Sequence, residues 1–426
     1  MDHNKHSLIV GIDLSGDYTQ VSYLDSTNQI QSMSTIYDEQ RYLIPTALFK
    51  FQGSFVWCIG DEALLRNQEG KGVLIENLLE QVDSEDSIVI DQNEYMASEL
   101  LELYMSELFK IIKSNCKTEN FDGVVVTIHK LEKKLIDIIK DSVIRLGVAK
   151  QNIKVISHTE SFIYYVLNQK KDIWVNNVGL FEFDKEYFNY KRLSVTQNRG
   201  STIVGVEEKD LSDRIKYQSL RTSAGKEKAD RELSKIAKEE FAGHVVSAVF
   251  LTGDGFTKKW AKESLQILCN KRRVFQGYNL MVKGAGYCAR EYFYSSSLQQ
   301  FIFQCAGRTK VDISIMVSHS GKETEHIISR GGTNWYEAGA KLECILDNVD
   351  YVRFSVTSPV SGIGKMVHMD LKDFPKRPNK TTRIGINLTY MNENQFKIEV
   401  TDKGFGEFFP SSEMSVSEVI SVSDAL

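Results

Sequence analysis

Leu8-Ile9-Val10-Gly11-Ile12-Asp13-Leu14-Ser15-Gly16-Asp17-Tyr18-Thr19-Gln20-Val21-Ser22-Tyr23 is the stretch on which the reading of the fold turns. An apolar run over 8–14 closes in Ser15-Gly16-Asp17 and gives way to alternation over 18–23, which predicts strand, tight turn, strand. Taken singly this is an ordinary hairpin: a turn glycine usually supplies positive φ, and an Asp beside it usually caps the turn. Two later stretches repeat the theme. Phe181-Glu182-Phe183-Asp184 ends a predicted strand over 178–183 that is followed by another over 187–195, and Leu251-Thr252-Gly253-Asp254-Gly255 ends a strand over 249–252 and opens a helix.

Between these turns the periodicity changes from two to 3.6. Leu100, Leu101, Tyr104, Leu108, Ile111 and Ile112 recur at helical spacing within 94–113, and 124–128 is an unbroken β-branched strand. A helix over 130–147, stopped by Gly147, leads to a strand over 153–156, which makes a βαβ unit, and a helix over 158–169 follows. The charged, weakly periodic segment 206–231 reads as an irregular excursion. After residue 299 helical periodicity disappears. Short strands over 311–317, 326–329, 341–347, 351–357, 366–371, 382–391 and 395–401 predict a separate β-sandwich over 307–412, with a flexible tail over 413–426. The aromatic stretch 287–303 reads as a helix and connector between the two domains.

The order of these pieces resembles the actin, sugar kinase and heat-shock chaperone superfamily, and more closely a DnaK-type chaperone of the heat-shock seventy-kilodalton family. Cys58-Ile59-Gly60-Asp61-Glu62-Ala63 is similar to that family's IGDAA segment. His158-Thr159-Glu160-Ser161 stands where the family has NEPTAAA, and Lys283-Gly284-Ala285-Gly286 resembles its closing GAA helix start. The alternation over 384–398, around an Asn-rich turn, resembles the strands of the family's substrate-binding sandwich. The resemblance implies α/β plus β: an actin-like two-lobed ATPase-type domain over 1–300, then the sandwich. It also implies nucleotide contacts at Gly11, Asp13, Ser15, Gly16, Glu182, Gly253, Asp254, Gly255 and Gly284, with Asp13 holding Mg²⁺ through water. Partner contacts would come from two sandwich loops, at Ser318 and Gly321 and at Asn348 and Val349.

The phosphate turns depart from the family pattern. The first carries Asp17 where a hydroxyl residue is expected, and a carboxylate about 4 Å from a phosphate charge costs about 4 kcal/mol at an effective dielectric of 20. The second carries Asp184, Lys185, Glu186 and Tyr187 in place of glycines and Thr, so side chains crowd a turn whose amides should cradle phosphate. Asn77 stands nearest to the family's catalytic Lys, and the segment 195–249 is too short for the full adenine-clamping subdomain. Lys185 is expected to bridge to Asp17 if the hairpins face each other. His158-Thr159-Glu160 reads as a hinge rather than an acid–base pair. No helical lid is expected after the sandwich.

Composition narrows the function classes. With 52 Lys+Arg against 57 Asp+Glu the net charge is −5, which argues against nucleic-acid binding driven by charge. No stretch reaches the roughly 18 apolar residues of a membrane helix, residues 1–6 are polar, and a cytoplasmic location without membrane contact is expected. The six cysteines stand singly and read as reduced thiols. The expected function is a chaperone-like or scaffold protein with a degenerate nucleotide site, weak or absent Mg²⁺-ATP or ADP binding, weak or absent ATPase activity, and protein or peptide clients on the sandwich. An active DnaK-type ATPase with unusual phosphate loops and an actin-like assembly protein stand as alternatives.

Overall fold

The computed structural model describes residues 7–35, 41–84, 87–198, 201–294, 297–298, 300–319 and 321–425. The polar start at 1–6 lies outside them, as do positions 295, 296 and 299 of the aromatic stretch. The chain divides into two compact units, Met1–Val195 with Val206–Gln299, and Thr196–Gly205 with Gln300–Leu426. The protein is mixed α/β.

The first unit repeats one sheet plan. In its first half the order is Ile153–Ser157, Asn120–Ile128, Ser7–Leu14, Tyr18–Leu24, Ile30–Ser32. In its second half the order is Arg273–Gln276, Val246–Thr252, Asn177–Phe183, Phe188–Asn198, and then the Val206–Asp210 end of strand Ser201–Asp210. Each half is an antiparallel meander whose first strand also pairs in parallel with a strand reached through helix. The register makes the halves correspond: Asp13 and Glu182 each stand one residue before the end of the first strand, opposite Gln20 and Asn189 across their hairpins. In parallel they pair with Thr127 and Thr252, also at strand ends.

Apolar pattern explains the packing. Val124, Val125, Val126 and Ile128 are fully buried because helices cover the sheet. Helix Ala97–Cys116 buries Leu100, Leu101, Tyr104, Leu108 and Ile112 along one stripe, and Lys133–Arg145 buries Ile136, Ile139 and Val143. Helices His158–Leu167 and Leu280–Phe293 meet at Gly284, where a Cβ would lie 2.1 Å from the Ser161 carbonyl oxygen. Gly11 is a close approach of the same kind, its Cβ position lying 2.3 Å from the Gly286 nitrogen. No helix among the described residues is long and apolar enough to cross a membrane.

Segment 206–231, expected to be irregular, is so over 211–222, which holds turns and a 3-10 helix at Tyr217–Arg221, but 206–210 end a strand and 223–231 begin helix Ser223–Phe241. Its charges misled because they lie on exposed faces: Glu207 pairs with Arg192 and Lys209 with Glu240, while Ala229, Leu233, Ile236 and Ala237 bury the helix's other side. Hairpin Ser87–Ile90 with Asn93–Met96 went unread. Its turn sits at left-handed Asp91 and Gln92, and Lys50, 3% exposed, reaches Asp91 at 2.7 Å.

The second unit holds two four-stranded antiparallel sheets. One runs Lys322–Ser329, Asp312–His319, Tyr351–Thr357, Gly364–Asp370, and the other Ala340–Ile345, Arg383–Asn392, Gln395–Gly404, Ser415–Ser421. Each buries alternate residues, among them Val352, Phe354 and Val356 in the first and Phe396, Ile398 and Val400 in the second. A short parallel pair, Thr202–Gly205 with Phe301–Gln304, also belongs to this unit. The expected flexible tail is corrected: Ser415–Ser421 is a strand running antiparallel to Gln395–Thr401, with Ile420 buried. Its Ser-rich composition concealed Val416 and Ile420, the less exposed positions on one face of an edge strand whose Val419 faces outward.

Candidate functional site

The two hairpins of the first unit bring their strand ends together around one imidazole. His158 is the first residue of its helix, capped by Ser157, whose Oγ accepts from the Glu160 amide at 3.1 Å. Its Nε2 lies 3.0 Å from Asp13 Oδ1 and its Nδ1 2.8 Å from Glu182 Oε1, all three side chains being at least nine-tenths buried. Lys191, 1% exposed, donates to the other Glu182 oxygen at 2.5 Å and lies 3.3 Å from Glu208, which also accepts from Thr159 Oγ1 at 3.1 Å. Tyr187 donates to Glu182 at 3.0 Å and lies 3.3 Å from Asp184 Oδ2.

Burial alone would push His158 toward its neutral form, yet the two carboxylates overcome it and hold its pKa at about 10. Burial would raise Glu182, but Lys191 first and then His158 bring it well below the usual carboxylate range. Lys191 stays charged against its own desolvation because Glu182 and Glu208 face it. The neighbouring His129, stacked on Tyr187 at 3.9 Å, falls to about 4 through burial and then the positive charge of His158. Asp184 rises to about 6, chiefly by burial, although it accepts the Asp254 amide at 2.9 Å.

The outer layer is the predicted bridge: Lys185 Nζ lies 2.8 Å from Asp17 Oδ2, both about half exposed. Behind it a cavity of about 260 Å³ is lined by both turns, Ser15 to Asp17 and Asp184 to Tyr187, and by Asn77. Asn77 does reach this space, with a left-handed φ of 56°.

The nine nucleotide candidates divide. Ser15 and Gly16 line the cavity, and Ser15 Oγ donates to Asp13 at 3.3 Å. Asp13 and Glu182 do not line it; they are occupied by His158 and Lys191. Gly253 and Gly255 admit a neighbour, but the neighbour is Phe183. A Cβ on Gly253, at φ +95°, would lie 2.3 Å from the Phe183 carbonyl oxygen, and one on Gly255 2.5 Å from its ring. Asp254 accepts a hydrogen bond from Tyr217, while Gly11 and Gly284 serve helix contacts.

A resident metal does not fit these residues. His129, His158 and Glu182 have ligand atoms within 4.8 Å of one another, but both nitrogens of His158 already face carboxylates and its proton is strongly held. Sequence reasoning missed Lys191 and Glu208. For Lys191 the signal was a charge at an inward position of its strand, two residues before the buried Leu193; Glu208, in the exposed charged run 207–210, carried none.

The partner candidates share one end of a sheet. The antiparallel pairing that ends at Ile315↔Phe354 directs Ser318 and the turn at Gly321 toward the same end of the sheet as Asn348 and Val349, which precede Tyr351; residue 320 lies outside the described residues. Residues 316–319 pair with 322–325 beyond the last contact with Tyr351–Thr357, leaving Met316 60% exposed on a two-stranded ribbon. Gly321 takes φ +79°, and Asn348, at φ 55°, donates its amide to Asn379 at 2.7 Å.

Residues 29–306 match the C-terminal model of a family of unknown function, DUF5716, and residues 308–422 match a domain of unknown function, DUF8552. No curated protein matches the chain.

Proposed function

The chain belongs to the DUF5716 family, and on that premise we propose that it is a chaperone-like or scaffold protein on an actin-like two-lobed ATPase-type fold, whose nucleotide site is filled by its own side chains. The actin-like reading draws support from the duplicated strand order, with Asp13 and Glu182 at equivalent positions of the two halves. Ligands of open α/β sheets sit beyond the carboxyl ends of the strands, and those ends face each other here.

One observation carries the loss of the nucleotide. His158, clasped by Asp13 and Glu182 with Lys191 behind, places a closed set of buried charges where the two phosphate turns of such a fold converge. Admitting a polyphosphate would require breaking buried ion pairs, each of which costs several kcal/mol to leave uncompensated. The remaining cavity, about 260 Å³, falls below the roughly 300–1,000 Å³ of ordinary ligand pockets. Clients bind the second unit at the sheet end that carries Ser318, Gly321, Asn348 and Val349. The uncovered ribbon there has free edges and the exposed Met316, features that suit pairing with an extended peptide.

Calorimetric titration of the full chain with Mg²⁺-ATP and Mg²⁺-ADP tests the reading. The expected dissociation constant is weaker than about 100 μM, less than about 5.5 kcal/mol of binding, with no turnover. Micromolar binding that is lost in Asp13→Ala would overturn it in favour of an active ATPase.

A further inference from the structure

We propose that the groove at the end of helix Ser223–Phe241 binds a small organic carboxylate, Arg272 taking the carboxylate and Phe241 and Ile267 receiving its hydrocarbon body. This goes beyond the reading above, and the groove shares no lining residue with the cavity between the hairpin turns.

The groove, about 570 Å³, has the size of an ordinary ligand pocket and forms where helices Ser223–Phe241 and Glu263–Leu268 end. Its apolar surface is open to a ligand: Ala242 is exposed, Ile267 is half-buried, and Phe241 is 7% exposed. Its charged surface has one sign. Lys238 and Arg272 line it and none of the nine lining residues is acidic, in a chain whose net charge is −5. The carboxylates beside Lys238 in sequence are committed elsewhere, Glu239 to Arg214 at 3.0 Å and Glu240 to Lys209. Among the described residues no carboxylate pairs with Lys238.

Arg272 is held in place through a single nitrogen. Its Nη1 donates to the Ile267 and Asn270 carbonyls, each at 3.2 Å, and its Cζ lies 4.4 Å from the centre of the Phe241 ring. Its Nε and Nη2 donate to no described residue. The N–H bonds of those two atoms run parallel along one edge of the guanidinium, the edge that matches both oxygens of a carboxylate. Because carbonyls and ring already fix the side chain, little rotamer freedom is lost when a ligand engages it.

The surroundings decide which anion fits. A helix C-terminus carries about half a negative charge, and Lys238 stands in the last turn of Ser223–Phe241, so the two cations are partly offset. A single negative charge is then favoured over a phosphate dianion. A polyphosphate is disfavoured further, since no lining carboxylate can hold its Mg²⁺. The apolar wall beside the guanidinium favours a carboxylate with a hydrocarbon body over a bare small anion.

The test follows the Arg272 Nε–H resonance of the full-length protein during titration with sodium hexanoate at pH 7.5, with hexan-1-ol and inorganic phosphate as parallel titrants. Hexanoate is expected to shift that resonance saturably, with a dissociation constant on the order of 1 mM, while hexan-1-ol leaves it in place and phosphate binds about tenfold more weakly. Lys238→Glu alters an exposed side chain and should weaken hexanoate about tenfold at an unchanged unfolding midpoint. Arg272→Lys keeps the charge but removes the fork, and should abolish the hexanoate-dependent hydrogen-exchange protection of 238–242 and 266–272. Should that variant fail to fold, Lys238→Glu and the wild-type resonance decide the matter. Equal binding of hexan-1-ol, phosphate as tight as hexanoate, indifference to Lys238→Glu, or no saturable shift would each overturn the proposal. A micromolar Mg²⁺-ATP titration would instead overturn the degenerate-site reading, so the two failures are distinguishable.

Discussion

Two buried charge networks, one in each unit, solve the same physical problem differently. In the second unit Asp402, fully buried, meets both terminal nitrogens of Arg377 at 2.7 Å. It also accepts from the Gly404 amide at 3.0 Å, the Ser412 amide at 2.9 Å and the Ser412 hydroxyl at 2.7 Å. That arrangement is a closed pair: one cation, one anion, and the carboxylate lone pairs satisfied by the loop it anchors. In the first unit His158 and Lys191 share Glu182, and Asp13 and Glu208 extend the chain on either side. Its members come from strands of both halves and from the helix start between them. A closed pair is what a loop anchor needs, whereas a branched set at paired strand ends holds two halves together.

The largest expected effect tests that distinction. Glu182→Ala leaves two buried cations short of a partner, and the cost should lie at or above the 3–5 kcal/mol typical of a broken buried pair. Arg377→Ala strands a single carboxylate that keeps its backbone and hydroxyl donors, so about 3 kcal/mol is expected. Opening free energies from hydrogen exchange, followed in Asn177–Phe183 for one unit and Gln395–Gly404 for the other, measure both. If Glu182→Ala proves the milder variant, the branched network is not the clasp described here.

The networks also predict opposite responses to pH. Asp402 is held well below the usual carboxylate range, first by the Arg377 hydrogen bonds, so its contribution is present above the unfolded pKa of about 3.9 and is lost as pH falls through the lower folded value. His158 is raised to about 10, so its contribution is complete below the unfolded pKa of about 6.5 and is lost as pH climbs toward 10. Exchange protection in the second unit should therefore weaken first in acid, and protection around 155–160 and 180–183 first in alkali. Glu182→Gln should flatten the alkaline limb and leave the acid limb of the second unit unchanged. Parallel profiles in both units would remove the contrast.

Most of this framework is legible in the sequence, because hydrophobic period and turn residues are local signals. The run over 8–14, the stripe of Leu100, Leu101, Tyr104 and Leu108, and the alternation over 384–398 each occupy the element their spacing predicts. What failed to read had non-local causes. Strand Ser415–Ser421 exists through its pairing with Gln395–Thr401, and the charged start of Ser223–Phe241 is helical because its other face is buried. At the site, Asp13 and Glu182 stood out beside their turns, and the Lys185 to Asp17 bridge followed from the idea of facing hairpins. Glycines at 253 and 255 misled in a specific way. The close approach they permit is real, but Phe183 uses it.

The smallest expected effect bears on the outer layer, where Lys185 and Asp17 meet. Both side chains are 48% exposed, so solvent screens the pair and Lys185→Ala should cost no more than about 1 kcal/mol. Asp17→Thr should be equally mild in stability, and it restores the hydroxyl residue that the resembled phosphate turn would carry, freeing Lys185 for an anion. At about 4 Å and an effective dielectric of 20, removing that carboxylate relieves a phosphate of about 4 kcal/mol of repulsion. If surface charge were the barrier, this one change would bring Mg²⁺-ATP into measurable range. The buried set argues otherwise. His158 still bridges Asp13 and Glu182, Phe183 still fills the approach to Gly253 and Gly255, and Glu80 and Glu186 still line the remaining cavity. Asp17→Thr should therefore leave the Mg²⁺-ATP titration flat. A submillimolar isotherm in that variant would mean that the outer pair alone excludes nucleotide and that the inner network tolerates phosphate beside it.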